Sequence, residues 1–195
     1  ELKQRENTLI VYISDHGADF PRAKGSIYES GSRIPMIVNY PKSFSKGKVE
    51  NGMVSTIDIL PTLLKEAELP VPKELPGFAL QDLDSGEIEG HSHIHTFTTG
   101  SAPPLQYLQF GIRDDRYKLI YNPYRHKNLL AASRYVNSRL PADQHVKGFL
   151  FPDEYELYDL KSDPYEWKNL AQSPEYQQKK KALITAMQDF QREIK

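Results

Sequence analysis

The stretch Leu9-Ile10-Val11-Tyr12-Ile13-Ser14-Asp15-His16-Gly17 decides the reading of this chain. An apolar, β-branched run ends in a carboxylate, an imidazole and a glycine. Such a run predicts a strand buried on both faces of a mostly parallel sheet. Open α/β sheets bind ligands beyond the carboxyl ends of their strands. Asp15 and His16 then leave the strand where such a sheet does its chemistry. Gly17 permits the tight backbone that a close ligand requires. The competing reading, a plain turn over Ser14, Asp15 and Gly17, weakens once the next residues are considered.

Those residues run Phe20-Pro21-Arg22-Ala23-Lys24-Gly25-Ser26-Ile27-Tyr28-Glu29-Ser30-Gly31-Ser32-Arg33-Ile34-Pro35-Met36-Ile37-Val38. A glycine-punctuated loop places two cations, Arg22 and Lys24, close behind the carboxylate, and Ile34 to Val38 returns as a second strand. A carboxylate suits a hard cation with oxygen ligands, and Arg or Lys suits an oxyanion. A metal and a lysine placed together make a site for a tetrahedral anion such as sulfate or phosphate.

The chain has 195 residues, a formal net charge of −1 and no cysteine. Balanced charge argues against a dedicated nucleic-acid surface. No apolar stretch approaches the ~20 residues needed to span a bilayer. Without cysteine there can be no disulfide or thiolate metal site within the chain. The first residues show no leader pattern and enter a core strand almost at once, so the chain is expected to be a fragment.

Further along, Pro41 to Gly52 reads as a surface connection and Val54 to Leu69 as a helix. Ile57, Leu60, Leu63, Leu64 and Ala67 would form its buried stripe, and Ser55 with Asp58 a capping box. Ser92 to Thr98 alternates like a strand. Leu108 to Arg113 and Tyr117 to Asn122 read as a hairpin turning at Asp114-Asp115-Arg116, and Tyr155 to Leu160 as another strand. Residues 124–151 show no clear period and read as a loop insertion. Ser173, Pro174 and Glu175 mark the start of a terminal helix reaching Lys195. Two domains are expected: residues 1–90, a portion of an α/β catalytic domain, and residues 91–195, an α+β subdomain.

NTLIVYISDHG, FPRAKGSIYESGSRIPMIVNYP, VSTIDILPTLL, RDDRYKLIYN and ELYDLKSDPYEWKNLA, in this order, resemble the C-terminal half of a type I sulfatase of the alkaline phosphatase superfamily. FPRAKG is most similar to the heparan N-sulfatase (sulfamidase) branch. The resemblance implies part of a mostly parallel sheet sandwiched by helices, followed by a small antiparallel sheet with a terminal helix. It implies hydrolysis of O- or N-linked sulfate from sulfated carbohydrates, and a periplasmic, secreted or lysosomal location. The family's formylglycine nucleophile arises from a Cys/Ser-x-Pro-x-Arg signature, which this chain lacks. The signature and two further aspartates are expected in an N-terminal half, which would be the chain's partner. The fragment alone is expected to be inactive.

By the same resemblance, Asp15 and His16 bind a divalent cation, with calcium the first choice and magnesium or manganese as alternatives. Imidazole is a poor ligand for calcium, so His16 has a second reading, at the sulfate or its leaving group. Lys24 falls where the branch places a cation on the sulfate, and Arg22 is a weaker candidate beside it. Alternation would put His91, His93 and His95 on one strand face. A metal face is the less favoured reading of that pattern, and His93 and His95 are carried as substrate-binding candidates. Glu29 and Arg33 are expected to pair locally, and Asp114, Arg116 and Lys118 to be surface charges of the hairpin. Two other readings stand: a metal-dependent phosphodiesterase or phosphonate hydrolase of the same superfamily, and a non-catalytic sulfated-glycan-binding relative.

Overall fold

Alternation of apolar residues assembles the better-formed part of this protein, a four-stranded sheet with covered faces. The computed structural model describes residues 4–20, 22–99, 108–123 and 152–193. The loop insertion expected over residues 124–151 lies outside them, as does the end of the terminal helix at Ile194 and Lys195. By contacts the chain forms two compact units: residues 1–14 with 35–94, and residues 15–34 with 95–195. Residues 15–34 group with the C-terminal part.

In the first unit, β1 (Ile10–Ile13) and β2 (Met36–Asn39) pair antiparallel, with Val11 opposite Val38 and Ile13 opposite Met36. The two runs expected to lie buried in a parallel sheet are therefore partners of each other. One face is open: Ile10 is 47%, Tyr12 61% and Ile37 59% exposed, while Val11 and Val38 on the other are half-buried. An apolar run states what a strand can bury, whereas burial requires a covering layer, and the described residues leave the first face without one.

The capping box is present, with Ser55 N–H donating to Asp58 Oδ2 at 2.7 Å. It opens a 3₁₀ turn, Thr56–Asp58, that runs into α2 (Ile59–Glu66). Pro61 falls in the first turn of α2, where its missing N–H costs nothing. The expected buried stripe is corrected: Ile57, Leu60 and Leu63 are exposed, and Asp58, Pro61 and Thr62 are buried. The reason is polar packing. Thr62 Oγ1 accepts the Leu80 N–H at 2.9 Å, which seats the start of α3 (Leu80–Ser85) against the opposite side of α2.

The second unit carries the sheet β3 (Ile94–Thr98), β4 (Gln109–Arg113), β5 (Tyr117–Tyr121) and β6 (Tyr155–Asp159), in that spatial order. The pairs β4–β5 and β5–β6 are antiparallel. The hairpin turn is held by Asp114 Oδ1, which accepts the N–H groups of Arg116 and Tyr117. A 3₁₀ turn, Pro174–Tyr176, leads into α4 (Gln177–Glu193).

Side chains alternate across a strand, and here both faces are covered. On one face, Ile112, Leu119 and Leu157 form a core with Leu170, Ala171 and with Leu183 and Met187 of α4. On the other, Ile120 and Tyr158 pack on Ile27 and Tyr28 from the loop at residues 15–34. Gly111 permits that approach: a Cβ there would lie 2.5 Å from Thr96 Oγ1 and 3.0 Å from Ile27 Cδ1. The loop carrying the candidate residues is thus one covering layer of the sheet.

Candidate functional site

The loop closes on itself before it presents any side chain. Gly17 N–H donates to Gly31 O at 2.9 Å, and a Cβ at Gly17 would fall 1.7 Å from Ser30 O. Only glycine fits beside Asp15 and His16. Farther along, Lys24 N–H donates to Ala18 O at 3.1 Å, and the hydroxyls of Ser26 and Ser30 both donate to Arg22 O. Arg22 has φ of +63°, a conformation a non-glycine residue adopts only when its surroundings enforce it. The single regular piece is α1 (Glu29–Ser32).

The Asp15 side chain is 83% exposed, and its carboxylate takes the His16 backbone N–H at 3.0 Å, with His16 Nε2 at 3.3 Å. The other ring nitrogen, Nδ1, lies 2.7 Å from Gly17 O. Asp15 offers a hard oxygen donor and His16 a nitrogen. No group of three or more metal-ligating side chains occurs among the described residues. Two donors fall short of the six to eight oxygens that calcium takes, so a cation here needs ligands from elsewhere.

Lys24 is exposed, and its ammonium has no hydrogen bond or ion pair among the described residues. Arg22 differs. Its guanidinium lies 3.8 Å from the Tyr28 ring centroid and 5.0 Å from that of Trp167, and donates to Glu166 O. Burial opposes its charge, but Tyr28, Tyr158 and Glu156 outweigh that and hold its pKa above the usual value. Of the two loop cations, Lys24 is the one presented outward.

The histidines do not share a strand face, because β3 starts at Ile94. His91 Nε2 lies 2.8 Å from Oδ1 of the buried Asp58, within the first unit. His93 Nδ1 is 3.2 Å from Ser92 Oγ. His95, in the second unit, stacks on Phe190 with ring centroids 3.8 Å apart.

Beneath the loop lies a buried polar layer that sequence reading missed. Glu29 is paired with Lys118 at 2.9 Å and Arg113 at 2.6 Å, which corrects the expected local pairing with Arg33. Lys118, expected at the surface, is 1% exposed. Asp114 is also largely buried and bonds Lys179 of α4 at 2.8 Å. Burial would raise the Glu29 carboxyl, but Lys118, Arg113 and Arg33 overcome it and hold the group below the ordinary range. Glu166, whose Oε2 accepts the Glu29 N–H at 2.6 Å, is pushed up by burial despite Lys118. Glu156 is likewise raised by burial while accepting from Tyr28, Tyr158 and Asn122. One signal was available: Lys118 and Glu156 sit inside otherwise apolar strands, where a charge is costly unless paired.

Solved structures of sulfatases share this fold, which is α/β of the alkaline-phosphatase-like class with the antiparallel C-terminal sheet and helix seen here. The structure of BT4656 in complex with its substrate D-glucosamine-2-N,6-O-disulfate has a TM-score of 0.71 and 26% identity. It covers 96% of this chain and 35% of that one. A phosphonate monoester hydrolase of Agrobacterium radiobacter reaches a TM-score of 0.68 at 20% identity, with 95% of this chain and 35% of that one covered, so fold alone does not separate these activities.

Sequence adds a family to the fold. Residues 22–134 match the family described as N-sulphoglucosamine sulphohydrolase, C-terminal, and the chain belongs to that family. It is 33% identical over 189 residues to an ulvan-active sulfatase of Formosa agariphila, covering 89% of this chain and 31% of that protein. It is 24% identical over 202 residues to the N-sulphoglucosamine sulphohydrolase of Homo sapiens, covering 88% and 39%. The chain thus spans about a third of the length of the curated relatives it matches. Among the described residues no helix is long and apolar enough to cross a membrane.

Proposed function

We propose that this chain forms the C-terminal part of a sulfatase that removes sulfate from a sulfated carbohydrate, with N-sulfated glucosamine the first candidate substrate. The observation that carries the reading is the family match over residues 22–134, which includes the outward-facing Lys24. Lys24 would meet the oxygens of the sulfuryl group, where an ammonium stabilises charge that grows in the transition state. His16 would stand at the leaving amine or alcohol and carry a proton to or from it. Asp15 and donors from an N-terminal half would hold a divalent cation, calcium first and magnesium or manganese next, that offsets the charge of the sulfate; in the alternative reading His16 joins that cation's ligands and leaves the proton to another group. A formylglycine from that same half would supply the nucleophile. Arg22 would touch substrate only at the rim, since its guanidinium is engaged with Tyr28 and Trp167. His93 and His95 are secondary candidates for the sugar side of the pocket.

A periplasmic, secreted or lysosomal location accords with such a substrate. The chain by itself is expected to be inactive, because it contains no Cys/Ser-x-Pro-x-Arg sequence. The test uses the full-length protein on three substrates: N-sulfated glucosamine, 6-O-sulfated glucosamine and an aryl phosphonate. Turnover of either sugar supports the reading, and preference for the N-sulfate assigns the branch. Preference for the phosphonate, or sugar binding without turnover, overturns it.

A further inference from the structure

What holds an irregular loop of twenty residues in one arrangement is a physical question with a specific answer here. Its apolar contribution to the sheet, Ile27 and Tyr28 against Ile120 and Tyr158, is small. The remaining contacts are charged and buried. Lys118 is the second residue of β5, its backbone fixed between Arg113 of β4 and Tyr158 of β6. Its Nζ lies 2.9 Å from Glu29 Oε1 and 3.5 Å from Glu166 Oε1. Arg113 Nη1 lies 2.6 Å from Glu29 Oε2, and Glu166 Oε2 takes the N–H of Glu29 at the first residue of α1. Two cations and two carboxylates from α1, β4, β5 and the turn after β6 thus close around a single point of the loop. Arg33 and Arg22 are the other charges that act on these carboxylates.

A buried ion pair is weak evidence for stability, because apolar side chains of equal volume often stabilise as well or better. What such a cluster supplies is discrimination between arrangements, since any shift of α1 strands a carboxylate without its cation. We propose that Lys118 is a positioning residue for the loop. By bridging Glu29 and Glu166 it fixes α1 on the sheet, and through α1 it sets the places of Asp15 and Lys24. The transmission is short. Ser30 Oγ donates to Arg22 O, Ser26 N–H donates to Ala23 O, and Gly31 O takes the Gly17 N–H. The stretches that carry Lys24 and Asp15 therefore hang on Ser30 and Gly31, one and two residues past Glu29. The proposal rests on the reading of Lys24 as a sulfuryl contact.

The experiment compares Lys118→Met, Lys118→Met with Glu166→Gln, and the exposed control Lys161→Met, all in the full-length protein. Methionine keeps the volume and removes the ammonium. In Lys118→Met, kcat is expected to fall about tenfold or more while KM changes less than about threefold, since displacement of a reacting group chiefly affects the chemical step. Amide hydrogen exchange should rise in peptides from residues 15–34 and stay unchanged in β4 to β6. The double variant restores charge balance, with Glu29 and Arg113 left as a pair, and the amide oxygen that replaces the Glu166 carboxylate can still accept the Glu29 N–H. It should regain several-fold in kcat over the single variant. An unchanged kcat, loss of protection spread evenly over the chain, or a double variant no better than the single one would each overturn the proposal. The parent and Lys24→Ala separate the two readings. No turnover in the parent, or full turnover in Lys24→Ala, defeats the sulfuryl assignment, while the exchange pattern still decides the role of Lys118.

Discussion

The two sheets of this chain are built from similar residues and end in opposite states. The ribbon of β1 and β2 is richer in Ile, Val and Tyr than β4 to β6, yet Tyr12 and Ile37 stand open to solvent while Ile112, Leu119 and Leu157 are fully buried. The difference lies in what covers them. The second sheet has α4 on one face and the loop at residues 15–34 on the other, so even Lys118 and Glu156 are enclosed. The first ribbon keeps the face of Tyr12 and Ile37 uncovered among the described residues. Apolar strands therefore specify a capacity for burial, and the covering elements determine whether it is used.

Three measurements on the isolated chain sharpen that contrast. The largest effect is expected for Leu157→Ala, which opens a cavity among Ile112, Leu119, Leu183 and Met187. Such a truncation should cost about 2–5 kcal/mol in urea unfolding. A loss below about 1 kcal/mol would mean this core is not close-packed in solution.

An intermediate effect is expected from Arg116→Ala. The Arg116 guanidinium grips Asp159 through bonds of 2.9 and 2.7 Å and holds its carboxyl down at about 2, against 3.8 unperturbed. A carboxyl with a lowered folded value favours the folded state fully above its unfolded pKa and loses that contribution as pH falls. The parent should thus exceed the variant in stability above about pH 4, and the gap should close as pH approaches 2. Acid titration followed by circular dichroism reads this directly, with the variant unfolding at the higher pH. A gap that persists unchanged down to pH 2 would assign the effect to the Arg116 guanidinium lying over the Tyr117 ring instead.

The smallest effect belongs to Ile37→Ser on the open ribbon. A residue already 59% exposed should change stability by about 0.5 kcal/mol or less. A much larger loss would show that this face is covered in solution and would remove the contrast between the sheets.

The sequence made the second sheet legible almost residue by residue. The hairpin from Leu108 to Asn122, the strand at Tyr155 and the helix start at Ser173 and Pro174 all stand where the sequence pattern puts them, although the Ser173 side chain makes no capping hydrogen bond. Its buried charges were not legible, because a period of two assigns one face to water and here neither face meets it. Glu29 was matched with its neighbour Arg33, whereas its partner Lys118 lies 89 positions away, a pairing that only the folded sheet creates. Lys24 was singled out by its place on a glycine-punctuated loop and by the resemblance, and the folded loop leaves it exposed. The histidine alternation misled because it assumed a strand through His91 and His93, and β3 begins only at Ile94.

The central claim is that the loop packed on the second sheet delivers Lys24 to a sulfuryl group. Its most direct test is Lys24→Ala in the full-length protein, with turnover of N-sulfated glucosamine and the melting temperature measured on the same preparation. An exposed ammonium with no partner among the described residues contributes little to the fold, about 0.5 kcal/mol at most. Loss of a donor to a developing oxyanion costs about a hundredfold or more in rate. The expected result is an unchanged melt with turnover reduced about a hundredfold, part of it regained in Lys24→Arg. A lowered melting temperature with the turnover number intact would contradict the account and return Lys24 to the structure of its loop.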